Sequence, residues 1–320
     1  MITISERLKE KLKQIPSLPG IYKMLDSHKT IIYIGKSKCL KKRVNSYFTK
    51  NHSWEKIKKM VGSIDDIEIV VTDTHLEARL LECELIKTHK PMFNAQMKHD
   101  GSYVYLKLEE YNAHRAISVI HQRDFDSFGP FRRKFALDVL MKQLHNIYPL
   151  SQSYQTLMFD YHIFPVDMDK ETFMNNRTIL MKLFTEDSMM DLFLHQLEEN
   201  MKEAASIYKY ETASYYRDLL QGFTYLKKSI NGYHELFTVP ILLKLPLLDG
   251  IKLFYVSQGQ IVRKEIFPSL NDKELRSFLR KCKSAKLSTT LPYDEKAGID
   301  YRDILYSEIL SLPEDSVLYL

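Results

Sequence analysis

The sequence predicts an α+β chain: a small sheet with antiparallel pairing, flanked by helices, then a helical hairpin and a small C-terminal α/β unit. Three observations carry this expectation. Residues 19–25 and 30–35 read as neighbouring strands joined through Asp26-Ser-His-Lys29. Helical periodicity runs from about 186 to 230, with a fold-back at Tyr208-Lys209 between arms near 188–206 and 210–229. Residues 235–320 alternate apolar runs (237–243, 251–257, 260–267) with one helix over about 271–281.

The elements follow in order. Ile4, Leu8 and Leu12 at four-residue spacing predict a short amphipathic helix. After the two strands, Ser37 is placed to cap a helix to about Tyr47, and Ser53 a second to about Gly62. Ile67–Thr72 is a β-branched strand. Thr74-His-Leu-Glu77 has capping-box form and opens a helix ending near Lys90-Pro91, with Ala78, Leu81 and Leu85 as its buried stripe. A second tract has strands at 103–108 and 116–121, a turn at Phe128-Gly-Pro-Phe131 and a helix over 134–146. Residues 151–170 lack periodicity and read as linker. The expected divisions are 1–98, a connecting region 99–170, a hairpin 186–230 and a final unit 235–320.

Composition sets the class. Of the 320 residues, 44% are hydrophobic and 27% charged, which is globular and not disordered. No uncharged run approaches the roughly 18 residues of a membrane span, and the charged start MITISERLKEKLKQI does not read as a secretory signal. Cys39, Cys83 and Cys282 are isolated, without metal-ligand spacing, which points to a reducing cytoplasm. The net charge is +5, but residues 36–60 alone hold nine Lys/Arg against Glu55. Lys36, Lys38, Lys41, Lys42, Arg43, Lys56, Lys58 and Lys59 make this a candidate phosphate-binding patch, and a solvated helix face is the plainer alternative.

The first strands hold Gly20-Ile21-Tyr22 and Tyr33-Ile34-Gly35. If Asp26–Lys29 closes the hairpin, Tyr22 lies directly opposite Tyr33, on one face and about 5 Å apart at Cβ. Glu82 lies on the apolar stripe of the 75–89 helix, where an unpaired carboxylate is costly. A salt bridge or a divalent ion would satisfy it; one carboxylate with phosphate and water is a normal Mg²⁺ environment. Arg43, two turns beyond Lys36, can point back to the sheet, and Asn94 after Pro91 reads as a turn residue.

These residues resemble the GIY-YIG nucleases, and most closely the N-terminal half of the UvrC family. The matches are Leu18-Pro-Gly-Ile-Tyr22, Tyr33-Ile-Gly-Lys-Ser-Lys38, Leu40-Lys-Lys-Arg43, Ser46-Tyr-Phe48, Glu77-Ala78, Leu80-Leu-Glu82, Leu85-Ile-Lys87 and Pro91-Met-Phe-Asn94, then Ser102-Tyr103 and Phe128-Gly-Pro-Phe131. The resemblance implies a catalytic set of Tyr22, Tyr33, Lys36, Arg43 and Glu82, with Asn94 in support and one Mg²⁺ or Mn²⁺ on Glu82. Tyr33 is then the candidate general base. A phenol of pKa about 10 is only about 0.1% ionised at pH 7, so Lys36 is expected to lower it.

The resemblance also implies damaged duplex DNA as substrate, cut once and on the 3′ side during nucleotide excision repair. Met201, Ala205, Tyr210, Glu211, Arg217 and Asp218 resemble the UVR motif that contacts UvrB, and an ordinary αα-hairpin is the alternative. Where the family carries clustered cysteines, this chain has Ser151-Gln-Ser153, so no iron–sulfur cluster is expected. Residues 250–267 resemble the opening strands of the family's second nuclease domain. No aspartate stands at Phe237-Thr-Val-Pro240, so a truncated remnant without a second site is expected, with Asp249 and Asp300 as turn or cap residues. A helix–hairpin–helix tail is not expected. The rival functions are a non-cutting UVR adaptor and a mobile-element endonuclease of fixed sequence.

Overall fold

The structure is a computed structural model that describes residues 5–49, 55–98, 103–112, 114–154, 156–283 and 295–320. The expected roles of Ile4 and Ser53 therefore lie outside the described residues, as do Lys50 of the basic run and Ser102. The chain forms two compact units, one of residues 1–100 with 235–320 and the other of residues 101–234.

In the first unit, α1 (Glu6–Gln14) is capped by the Ser5 hydroxyl and buries Leu8 and Leu12. Then come β1 (Gly20–Leu25), β2 (Ile31–Ser37), α2 (Leu40–Thr49), α3 (Glu55–Gly62), β3 (Asp66–Val71) and α4 (His75–His89). The sheet order is β2-β1-β3, with both pairings antiparallel. Ser37 ends β2 and does not cap α2; its hydroxyl instead bonds the N–H and C=O of Cys39. Thr74 and Glu77 do close a capping box on α4, which ends at Lys90 in the left-handed region.

The hairpin register differs from the expected one. Tyr22 pairs with Gly35 and Met24 with Tyr33, a slip of two residues. Lys29 adopts a positive φ of 65°, which makes a three-residue loop, and a bulge between Met24 and Leu25 shifts the pairing again. A shift of two keeps both phenols on one face.

Both motif glycines answer to close packing. A Cβ on Gly20 would run into the Val70 carbonyl, and one on Gly35 into the Tyr22 hydroxyl.

α4 is buried on more than the expected stripe. Leu81 and Leu85 are only half-buried, whereas Leu76, Ala78, Leu80, Glu82, Cys83 and Ile86 are enclosed. The cause is the rest of the unit: β9 (Ile241–Leu247), β10 (Gly250–Ser257), β11 (Gln260–Phe267), α9 (Asp272–Lys283), α10 (Glu295–Ser311) and β12 (Val317–Tyr319). Their antiparallel sheet, in order β11-β10-β9-β12, shares a core with Leu76, Leu80 and Cys83 of α4. Ion pairs reinforce the packing: Arg79 with Glu308 at 2.8 Å, Lys87 with Asp300 at 3.0 Å, and Lys252 with Asp73 and Glu77 at 2.5 and 2.7 Å. Asp249 does sit in a turn. Asp300 does not cap anything; it is fully buried within α10.

The second unit holds β4 (Val104–Leu108), β5 (Ile117–Ile120), β6 (Ser127–Phe131), α5 (Lys134–His145), a β7–β8 hairpin (Ser151–Ser153, Thr156–Met158), α6 (Lys170–Thr185), α7 (Asp187–Ser206) and α8 (Tyr210–Thr238). The expected turn at Phe128-Gly-Pro-Phe131 is edge strand β6, where Gly129 and Pro130 fill a bulge between the Phe128 and Phe131 pairings. The expected linker 151–170 is folded. Leu157, Phe159 and Met168 enter the same core as Phe193 and Phe223, so the 99–170 and 186–230 divisions are packed together. Helix α6 went unpredicted. α7 and α8 fold back at Tyr208, φ 60°, with Phe193 against Phe223 and Lys227 bonded to Asp191. Among the described residues, no helix is long and apolar enough to cross a membrane.

Two outcomes are expected. Lys252→Met should cost about 2 kcal/mol in urea unfolding, below the roughly 3–5 kcal/mol of a fully buried broken pair, because Glu77 keeps Lys264 and Asp73 is half-exposed. At Asp66, burial pushes the carboxyl up, but bonds from Lys11, the Ile67 N–H and Lys29 outweigh it and hold it down, at about 2. The stability it confers is present above the unfolded value of about 3.9 and is lost as pH falls towards 2. Asp66→Asn should remove that dependence from melting curves taken between pH 5 and pH 2.

Candidate active site

The site is built where β1, β2, α2 and α4 meet. Tyr22 on β1 is 1% exposed, its ring lying over Gly35. Tyr33 on β2 is half-buried, and Tyr47 reaches in from the last turns of α2. The three rings are mutual neighbours, with centroids 6.0–6.2 Å apart, and the Tyr22 and Tyr47 hydroxyls are 3.0 Å apart. The Arg43 guanidinium lies 4.9 Å from the centre of the Tyr47 ring. Tyr33, Arg43, Ser46, Tyr47, Lys56 and Phe93 help to line an open cleft of about 370 Å³.

Glu82 comes from α4. Its Oε1 accepts the Lys36 backbone N–H at 3.1 Å and its Oε2 accepts Lys36 Nζ at 2.9 Å. The carboxylate is therefore satisfied by an ion pair, and both partners belong to the expected catalytic set. A helix carboxylate is thus tethered to the strand that carries Tyr33.

Electrostatics reverse the expectation for Tyr33. Burial pushes its phenol well above the ordinary range, and Tyr47 and the Glu82 charge push the same way; Arg43 opposes them without prevailing. Tyr22 is raised further, first by burial and then by Tyr33 and Tyr47. The Lys36 ammonium is paired with Glu82 at 2.9 Å. Both phenols are neutral hydrogen-bonding groups here, not resident phenolates.

Asn94 closes a turn, its N–H donating to the Pro91 carbonyl at 3.2 Å, and its side chain does more. Its Oδ1 accepts from Ile34 N–H at 2.9 Å and its Nδ2 donates to Ile34 C=O at 2.8 Å, so one side chain pairs the outer edge of β2 as a strand would. It fixes β2 and touches no other site residue through these bonds.

Lys38, Lys41, Lys42, Arg43, Lys56, Lys58 and Lys59 are exposed, with Arg43 and Lys56 at the cleft. Lys58 bonds Glu55 within α3. Two residues escaped the sequence reading. Tyr47 is one tyrosine among 20, and only its position four residues after Arg43 on a helix marks it. His75, at the first turn of α4, is held down to about 4 by burial and by Lys38, Arg79 and Lys36, so it is a neutral imidazole in a cationic setting. Of the expected partner-binding residues, Tyr210, Glu211, Ala205 and Arg217 are exposed, Arg217 bonding Asp218, while Met201 packs partly against the core.

Among the described residues no three acidic, imidazole or thiol donors converge. An ion here would have Glu82 as its one protein carboxylate, with water and phosphate completing the shell. Such a donor set fits a hard cation of the Mg²⁺ type and not a structural zinc.

Paired β1–β2 tyrosines, an α2 arginine and an α4 glutamate over a three-stranded antiparallel sheet define a domain of the GIY-YIG class. Over residues 18–95 the chain matches the UvrC-like GIY-YIG domain. It is similar to UvrABC system protein C of Desulfitobacterium hafniense, 32% identical over 84% of this chain and 46% of that protein. The same protein of Alkaliphilus oremlandii is 31% identical over 85% and 48%. The chain thus spans about half the length of the curated relatives it matches. The magnesium-bound GIY-YIG N-terminal endonuclease domain of UvrC from Thermotoga maritima is 34% identical, covering 29% of this chain and all of that one, with a TM-score of 0.27.

Asn94→Ala should lower stability by about 1–2 kcal/mol, since it leaves the N–H and C=O of Ile34 unpaired at a partly buried edge. Urea unfolding measures the loss, and Asn94→Asp should recover only the accepting half of it.

Proposed function

We propose that the chain is a metal-dependent DNA endonuclease that makes a single incision in damaged duplex during nucleotide excision repair, 3′ of the lesion. The observations that support this reading are the cluster of Tyr22, Tyr33 and Tyr47 with Arg43 beside an open cleft, and the Glu82–Lys36 pair on the strand that carries Tyr33. The side of the cut follows the family resemblance alone.

Glu82 would hold one Mg²⁺ or Mn²⁺, which would supply Lewis-acid stabilisation of charge on the scissile phosphate. Lys36 holds that carboxylate in place through its backbone N–H and its ammonium. Arg43 contacts the phosphate with a charged fork. The neutral phenols of Tyr33 and Tyr22 donate and accept hydrogen bonds that orient the phosphate and the attacking water, and Tyr47 links the Tyr22 hydroxyl to α2. Asn94 acts through β2 and is a positioning residue. Lys38, Lys41, Lys42, Lys56, Lys58 and Lys59 flank the cleft and hold the DNA backbone, so binding should weaken as salt rises.

The α7–α8 hairpin is the UVR-like element that docks UvrB, with exposed Tyr210, Glu211, Ala205 and Arg217 at or near its tip and Met201 and Asp218 supporting them. Residues 250–267 resemble the opening strands of the family's second nuclease domain, read as a remnant without a second active site. The place of action is the cytoplasm.

The test uses a lesion-bearing duplex with and without loading proteins, in Mg²⁺ and in EDTA. Nicking should require metal, fall at least about 100-fold in Glu82→Gln and drop strongly in Arg43→Ala. Persistent UvrB binding without any cutting would favour the adaptor. Equal cutting of undamaged DNA at a fixed sequence would favour the mobile-element reading.

A further inference from the structure

The cleft beside the phenols has an apolar lining that phosphate chemistry does not call for. Besides Tyr33, Arg43, Tyr47 and Lys56, it is lined by Ile57, Met60 and Phe93. Ile57 and Met60 are three residues apart on α3 and so share one of its faces. Phe93 follows α4, and its backbone N–H donates to the Ile32 carbonyl at 3.0 Å. The next residue, Asn94, brackets Ile34 with its side chain. Phe93 is therefore pinned along β2 between attachments on either side of Tyr33. Met60 is buried, and Ile57 and Phe93 are half-buried against the same core. The core holds these two in place and leaves part of each to the cleft.

A phosphate needs charge and hydrogen-bond donors, which Arg43, Lys56 and the phenols supply. Apolar side chains offer it nothing and displace the water that solvates it. The cleft is also larger than one phosphate requires: its volume of about 370 Å³ lies in the roughly 300–1,000 Å³ range of pockets that enclose a whole small ligand. A nucleotide matches both halves of the lining, with an anionic phosphate and a base whose face stacks on an aromatic ring. Within a closed duplex both faces of a base are covered by its neighbours. A base can meet Phe93 only after leaving the stack, and that step costs least where the duplex is mismatched or damaged.

The geometry points to a cleft that takes one unstacked nucleotide of the cut strand, its phosphate at Arg43 and Lys56 and its base against Phe93, Ile57 and Met60. The inference rests on the reading of the cleft as a nuclease site. It adds what the strand must do there, which is to lose its stacking beside the scissile bond.

The experiment is methyl NMR of the full chain, labelled at isoleucine and methionine, in EDTA. It is titrated with deoxyadenosine 5′-monophosphate, with deoxyribose 5-phosphate and with inorganic phosphate. The nucleotide should bind about 10-fold more tightly than the sugar phosphate, and it alone should shift the Ile57 and Met60 methyls by its ring current. Phe93→Ala should remove that preference and leave the affinity for inorganic phosphate within about two-fold. Circular dichroism checks folding; if Phe93→Ala unfolds, Phe93→Leu keeps the contact with the core, lacks the ring and should lose the preference likewise. Equal affinity for the nucleotide and the sugar phosphate overturns the inference, as do unmoved Ile57 and Met60 methyls or a preference that survives loss of the ring. No cutting enters this readout. A chain that nicked DNA yet bound both phosphates alike would lose the nucleotide pocket and keep the endonuclease reading, and a chain that preferred the nucleotide yet never nicked would do the reverse.

Discussion

The pairing of Glu82 with Lys36 is the constraint on which the site depends. A carboxylate on a buried helix face must be satisfied, and Lys36 offers it both a backbone N–H and an ammonium from the strand next door. The pair fixes α4 against β2, and therefore sets where the one acid stands relative to Tyr33. It also bears on the electrostatics: burial raises the Tyr33 phenol first, and the Glu82 charge adds to it in the same direction.

α4 can serve this way because it is enclosed from two directions. Ala78, Glu82 and Ile86 are buried alongside Leu76, Leu80 and Cys83, the latter three in a core shared with the strands of residues 241–256 and with α10. Burying a helix on both sides removes the polar face that normally separates apolar from charged positions. Three of its other charges are used in specific pairs: Arg79 with Glu308, Glu77 with Lys252 and Lys264, and Lys87 with Asp300. Residues 235–320 thus contribute to the same unit as the cleft, whatever their ancestry.

The tyrosine cluster shows how sterics and charge are joined. Gly35 has no Cβ, so the Tyr22 ring can lie over its cross-strand partner and its hydroxyl can reach Tyr47. Gly20 lets β1 approach the Val70 carbonyl of β3. The close packing that admits the phenols is also what desolvates them, so neutrality is a consequence of the motif's own geometry.

Local chemistry made much of this visible in advance. The strand–turn–strand pattern, the Thr74–Glu77 capping box, the basic run and the Glu82 position on an apolar stripe are short-range signals that hold in any context. The face shared by Tyr22 and Tyr33 was equally safe, because a two-residue slip preserves alternation. Tertiary structure decided the remainder. A lysine in the left-handed region and a bulge set the register, which composition does not encode. Asp300 proved buried because Lys87, 213 positions away, meets it. Tyr47, the double burial of α4 and the direction of the phenol shifts likewise arise from contacts between distant segments. Sequence periodicity reports which residues want water excluded; only packing determines which partners exclude it, and those partners set charge and proton affinity.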